Sequence, residues 1–150
     1  MIEQWINDLA EVDPTTGLQL CPFAKPAYDQ GRVEIVNIAA GHLWPEVLAA
    51  SSKLNDNLDV VVVVDETYAG DYDELEATAD ALNDFFTVAG IDCWALSHLS
   101  EAAVIFVQKL TELDNSAAKL EKLGYYAHYG AHDYERLIAD RRRRRDQYAR

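Results

Sequence analysis

A cysteine followed by proline stands in the stretch Leu20-Cys21-Pro22-Phe23-Ala24-Lys25-Pro26. The thiolate is the reactive form of cysteine, and a nearby cation stabilises it. Cys21, with Lys25 four residues on, therefore has the makings of a nucleophile or a redox thiol. Such a nucleophile needs a base. His98 is the candidate, because it follows an expected strand, and strand ends are where open α/β sheets gather ligand groups. The alternative for each residue is structural. A buried cysteine packs as a small hydrophobe, and a lone loop histidine need do no chemistry. The second cysteine, Cys93, has opposite parity to His98 along the same strand, so the two should point to opposite faces.

Two other sets of residues have types suited to chemistry. His128 and His132 are four residues apart and on one helix could share a metal. Gly130 lies between them, and neither cysteine nor His98 completes a recognised zinc spacing. The carboxylates Asp65, Glu66, Asp71 and Asp73 follow the end of a strand, where they could hold magnesium or do acid–base work. Helix capping by Asp71 and ordinary solvation of the rest are the favoured explanation in a chain this acidic. There is no G-x-G-x-x-G, P-loop or G-x-S-x-G pattern, so common nucleotide chemistry has no support and no cofactor or metal is expected.

The elements that must position these residues belong to a chain of 150 residues with formal net charge −13. Apolar residues at 49% suffice for one hydrophobic core, so residues 1–150 are expected to form a single domain. Two cysteines do not make a disulfide framework. The acidic balance argues against a nucleic acid partner, since phosphate backbones need a basic face. The first residues lack a basic region and a long apolar stretch, so a signal peptide is not expected, and no membrane span is expected either. A cytoplasmic location with reduced thiols follows as the expectation.

Charge is uneven along the chain. Lys25, Arg32, Lys53, Lys109, Lys119 and Lys122 are spread over residues 1–131, whereas Arg136, Arg141 to Arg145 and Arg150 crowd the last nineteen. Three readings of this basic helix end, at about 133–150, stand side by side. It is the solvated, dipole-favoured end of a helix, a docking element for an acidic surface of this chain or a neighbour, or a nucleic acid tail.

Hydrophobic spacing predicts helices over 2–10, 45–55, 72–89, 111–123 and 133–148. Asp71 and Glu74 form a capping box for the third, and Gly90 ends it. Strands are expected at 33–38, 58–64 and 91–96, with a fourth at 102–107, where a helix is the alternative. Val60 to Val64 suit a central strand covered on both faces. Loops are expected at Asp13–Gly17 and Leu18–Pro26, a turn at Gly41, and an aromatic-rich connection at Tyr125–Gly130. The order implies an α+β fold, α/β-like in its helix–strand alternation. It should be a mixed, mostly parallel sheet of about four strands with an antiparallel edge, helices packed on it and a helical C-terminus.

Trp5-Ile6 followed by Gly17-Leu18-Gln19-Leu20-Cys21-Pro22-Phe23-Ala24-Lys25 resembles the N-terminal signature of a bacterial family, domain-of-unknown-function family 1415. The likeness covers about residues 5–100. It includes the valine strand, the Asp71–Ala89 helix and Ala95-Leu96-Ser97-His98, where Leu99 replaces an expected proline. Glu11 to Thr16 precede the motif as an extra segment, and helices stand where the family has an Asn/Arg/Pro-rich C-terminal segment. The resemblance implies Cys21 and His98 as site residues and supplies no reaction.

Three functions remain. The first is a small binding or adaptor protein acting through an acidic surface and the C-terminal helix. Its contact residues would be Lys25, Tyr125, Tyr126, Tyr129, Arg141, Arg142 and Arg143. Its partner would be another protein or a second copy, with a small-molecule ligand as a further option. The second is a cysteine-dependent enzyme or redox protein using Cys21 and His98. The third is a metal-binding protein using His128 and His132.

Overall fold

The computed structural model describes residues 2–12, 14, 21, 23–38 and 42–148. The expected Asp13–Gly17 loop, the Leu18–Leu20 stretch with Pro22, the turn at Gly41 and Arg150 lie in whole or part outside these residues.

The valine run is the centre of the sheet. It lies in β2 (Val60–Asp65), where side chains alternate between faces. Val61 and Val63 enter one apolar cluster, and Val60, Val62 and Val64 enter another on the opposite face. Val61 to Val64 are each no more than 1% exposed, as a strand covered on both sides requires. β1 (Val33–Asn37) pairs with β2 in parallel, Val33 opposite Val60. β4 (Ala103–Gln108) pairs with β2 antiparallel, and β3 (Trp94–Leu99) pairs antiparallel with β4. The strand order is β1-β2-β4-β3.

The expectation of mostly parallel pairing is thus corrected. Only the β1–β2 pair is parallel. The cause is the connection 100–102, far too short for a crossover, which forces a hairpin. β4 returns antiparallel and inserts between β2 and β3 instead of forming an edge. The segment 102–107, open between strand and helix in the sequence, is therefore a strand.

Helix α4 (Tyr72–Ala89) begins and ends where the sequence indicates. Asp71 accepts from the Glu74 backbone at 2.9 Å, Glu74 reaches back to the Asp71 N–H, and Gly90 closes the helix at φ 72°. The Ile91 N–H then bonds the Phe86 carbonyl at 2.9 Å, so Ile91 finishes the helix and does not begin a strand. This moves β3 from the expected 91–96 to 94–99 and puts His98 inside the strand. α3 (Leu43–Ser51) starts two residues before Pro45, which still sits in the first turn. α3 and α4 cover one face of the sheet.

α1 (Ile2–Asp8) and α2 (Ala24–Asp29) pack on the other face, in one cluster with Val62 and Val64 of β2, Val33 and Ile35 of β1, and Val104 and Phe106 of β4. α2 replaces part of the apolar loop expected up to Pro26. Beyond the sheet come α5 (Leu110–Lys122), a 3₁₀ turn Tyr125–His128, α6 (Ala131–Tyr134), a π-helical turn Glu135–Ala139 and α7 (Asp140–Tyr148). The last three run on from one another, so the final helical stretch starts at Ala131 and not at Asp133. No helix among the described residues is long and apolar enough to cross a membrane.

β3 is an edge strand, and α4 closes it. The Asn83 amide donates to the Ala95 carbonyl at 2.9 Å and accepts from the Ala95 N–H at 2.7 Å, with Asn83 only 2% exposed. A side-chain amide thereby occupies the hydrogen-bonding groups another strand would seek. Asn83→Ala leaves both groups buried without partners. It should lower unfolding stability by about 3 kcal/mol, read from urea titration.

Candidate functional site

The β3–β4 half of the second sheet face carries Trp94, Leu96, His98 and Phe106. Trp5 of α1 lies between two of them. Its ring stacks on His98 at 4.8 Å and 28° and on Phe106 at 4.8 Å and 27°. The helical spacing of Ile2, Trp5 and Ile6 turns Trp5 toward the sheet. β-strand alternation puts His98 on the same face as Leu96, whose cross-strand partner is Phe106. Burial pushes the His98 imidazole below its ordinary 6.5, so the stacked ring is neutral at pH 7.

These rings form part of the wall of a cleft of about 900 Å³. α1 contributes Trp5 and Ile6, α2 contributes Ala24 and Ala27, and Leu9 and Phe23 flank the two helices. The sheet contributes Leu96, His98 and Phe106, and the C-terminal arm contributes Tyr126, Tyr129, Leu137, Ile138 and Arg141. Its size is that of small-molecule sites, and its apolar walls meet a charged rim that includes Asp80, Glu112, Arg136, Asp140 and Arg144.

Cys21 and His98 line this same cleft. Cys21 is half-buried, and its backbone N–H is fixed to the Leu9 carbonyl at 2.8 Å, at the end of α1. No hydrogen bond joins Cys21 to His98 among the described residues. Lys25 does not serve the thiol. It pairs with Asp29, one turn along α2, at 3.0 Å. Cys93 lies on the opposite face in the α3–α4 core, as parity indicated, and burial pushes its thiol up to about 11.

Tyr125, Tyr126, Tyr129 and Tyr134 pack as a chain of edge-on and tilted rings at 5.0–6.0 Å. Tyr125 is buried and donates its hydroxyl to Tyr129. Tyr126 and Tyr129 reach the cleft, and burial pushes Tyr126 up to about 12. Cys21 sits close enough to all three that a thiolate there would raise their pKa values further. The cluster is therefore mostly an internal wall, not an exposed patch.

The arginine run is turned on the protein's own carboxylates. Arg141 donates from Nε to Asp114 at 2.8 Å, both side chains being 3% exposed, and Arg145 takes the other oxygen of Asp114 at 2.8 Å. Arg142 pairs with Glu121 at 2.8 Å, and Arg143 pairs with Glu135 and Asp140. Arg144 pairs with Asp84 at 2.9 Å and lies over the Trp94 ring at 5.4 Å. Of the three readings of this segment, docking onto the chain's own acidic body is the one that matches these pairs.

The remaining candidates are separated. His132 lines the large cleft, whereas His128 lines a separate small recess with Asp133 and Arg136. No group of three or more His, Cys, Asp or Glu is placed to hold a metal ion among the described residues. Asp71 caps α4, and Asp65 accepts from the Thr67 N–H and hydroxyl at 2.9 and 2.8 Å. Both are thus occupied locally. Sequence reasoning missed Phe106, Trp94 and Asp114 as site-forming residues. Strand alternation could have placed the first two on the face of His98, but nothing local marks Asp114.

No family model matches the chain, and neither the curated proteins nor the solved structures contain a significant match.

The His98 stack has a pH signature. The unfolded chain takes up a proton near 6.5 while the folded imidazole resists it, so stability is full above 6.5 and is lost as pH falls toward the lower folded pKa. The wild-type melting temperature should fall between pH 7.5 and 5.5, and His98→Phe should flatten that fall.

Proposed function

We propose that this chain is a binding protein for a small, largely apolar molecule held in the cleft beneath the C-terminal arm. One observation carries the reading: the mutually stacked His98, Trp5 and Phe106 rings form an uncharged stretch of wall in a 900 Å³ cleft. Aromatic surface of this kind contributes large contact area at low entropic cost. The adaptor role, in which the arginine helix meets a partner, is less well supported, because its guanidinium groups are engaged by Asp114, Glu121, Glu135 and Asp84.

The neutral reporter N-phenyl-1-naphthylamine tests the reading. It should become fluorescent on binding with a dissociation constant in the micromolar range, on the order of 1–10 μM for a cleft of this kind. Ala27→Trp, which fills part of the cleft, should weaken that binding about tenfold or more. Binding unchanged by the substitution counts against the cleft.

A second reading keeps Cys21 as a nucleophile with His98 as its base, supported by their shared cleft and by the resemblance of the Leu-Cys-Pro-Phe-Ala-Lys stretch. A maleimide titration across pH separates the two. Nucleophilic chemistry requires Cys21 to react faster than the buried Cys93, and His98→Ala must slow it. A Cys21 that stays inert until unfolding leaves only the binding role.

A further inference from the structure

We propose that β1 is an association edge, and that a second copy of this chain pairs its own β1 there, antiparallel across a two-fold axis. The two ends of the sheet are unlike. β3 ends against α4, with the Ala95 N–H and carbonyl taken by Asn83. β1 has no such cover among the described residues, where β2 is its one strand neighbour. The Val60 N–H donates to the Arg32 carbonyl at 3.2 Å, and the Ile38 N–H donates to the Val64 carbonyl at 2.9 Å. Parallel pairing uses alternate residues, so between these bonds Glu34 and Val36 face β2. Val33, Ile35 and Asn37 therefore turn their N–H and carbonyl groups outward. Sheets usually blunt such an edge with a proline, a bulge or a charge. Val33-Glu34-Ile35-Val36-Asn37 has no proline, and its register with β2 runs unbroken from Val33–Val60 to Asn37–Val64. Its one charge, Glu34, is met by Lys53 at 3.7 Å.

The occupant follows from symmetry and charge. The outward groups at 33, 35 and 37 are centred on Ile35. A two-fold axis through Ile35 sets it opposite the partner's Ile35, sets Val33 opposite the partner's Asn37, and sets Glu34 opposite the partner's Val36. Every outward N–H then meets a carbonyl, and no like charges stand directly opposite each other. Two copies of net charge −13 repel at a distance, so the seam between them has to be locally neutral. Lys53 offsets Glu34, and Asp59 holds Arg32 at 2.6 Å beside the strand. A strand from another protein would have to match this spacing, whereas a second copy matches it through its own symmetry. Because Asn83 closes β3, each chain offers one open end. Pairing through β1 therefore stops at a dimer, with two four-stranded sheets joined edge to edge, and does not run on as a fibre.

Sedimentation of the full chain from about 5 to about 200 μM, with amide hydrogen exchange followed residue by residue by NMR, tests the proposal. The mass should rise with concentration toward twice 16.8 kDa. The Val33, Ile35 and Asn37 amides should slow about fivefold across that range, while Glu34 and Val36 stay slow throughout. Asn37→Pro probes the seam. Asn37 is exposed and β2 does not use its N–H, so proline removes one outward donor per copy and leaves the β1–β2 ladder intact. It should raise the dissociation constant about tenfold or more. A dimer unmoved by Asn37→Pro overturns the proposal. If that variant does not fold, the exchange pattern of the unaltered chain decides. A chain that stays monomeric throughout overturns the second copy as occupant and leaves the edge to a strand of another protein. A dimer whose three outward amides exchange as fast as in the monomer overturns the edge and puts the contact elsewhere.

Discussion

The buried carboxylate of Asp114 decides where the end of the chain goes. It sits on α5, out of water, and a lone ionised carboxylate in that position costs several kcal/mol. Arg141, 27 residues on, offsets the cost with its Nε, and Arg145, a turn later on α7, takes the second oxygen. Two contacts one turn apart fix both the position and the rotation of α7. Once α7 is set, Arg144 falls over Trp94 and onto Asp84 of α4, and Arg142 falls onto Glu121. The π-helical turn before α7 fits this arrangement. A wider turn shifts the helix register, and the Leu137 carbonyl inside it accepts from Arg141. A pair this well buried adds little net stability compared with an apolar contact, but it gives the arm a single seat.

That seat matters because the sheet alone does not finish its second face. Its first face is sealed by α3 and α4 through Val47, Leu75, Leu82 and Phe86, all fully buried. On the second face α1 and α2 pack over β1, β2 and part of β4, and the remaining rings of β3 and β4 are covered by Trp5 of α1 and by the arm. Asn83 closes the β3 edge from the other side, so this edge ends against a helix. The cleft is the space between a sheet whose position the core dictates and an arm whose position ion pairs dictate.

Local chemistry was legible in the residues. The capping box and Gly90 delimit α4 to the residue, and five valines announce a central strand. The β3 boundary was not, because Ile91 reads as a strand former and is instead used to close the preceding helix, a choice made by one backbone bond. The strand order was hidden for a related reason: helix–strand alternation suggests parallel neighbours, and a three-residue hairpin overrides it. At the site, Cys21 and His98 were visible by residue type, and the structure brings both to one cleft. Sequence proximity points Lys25 at the thiol, but i,i+4 geometry on α2 pairs it with Asp29. The destination of the arginine run could not be read from spacing, since Asp84 and Asp114 lie 60 and 27 residues from their partners.

The two chemical possibilities in the cleft make opposite demands on Cys21. A nucleophilic thiolate needs positive potential, and the cation nearest in sequence is turned away on Asp29. Around Cys21 stand tyrosine hydroxyls held protonated by burial, which can hydrogen-bond an anion but carry no charge to stabilise one. His98, neutral and stacked flat on Trp5, is in the right protonation state for a base, yet its ring face is already covered by indole. Among the described residues, Nη2 of Arg141 is the buried side-chain nitrogen left without a hydrogen-bond partner, and it is sealed from the cleft's solvent. With its neighbouring lysine turned onto Asp29 and neutral tyrosine hydroxyls around it, the half-buried thiol fits more readily as wall than as reagent.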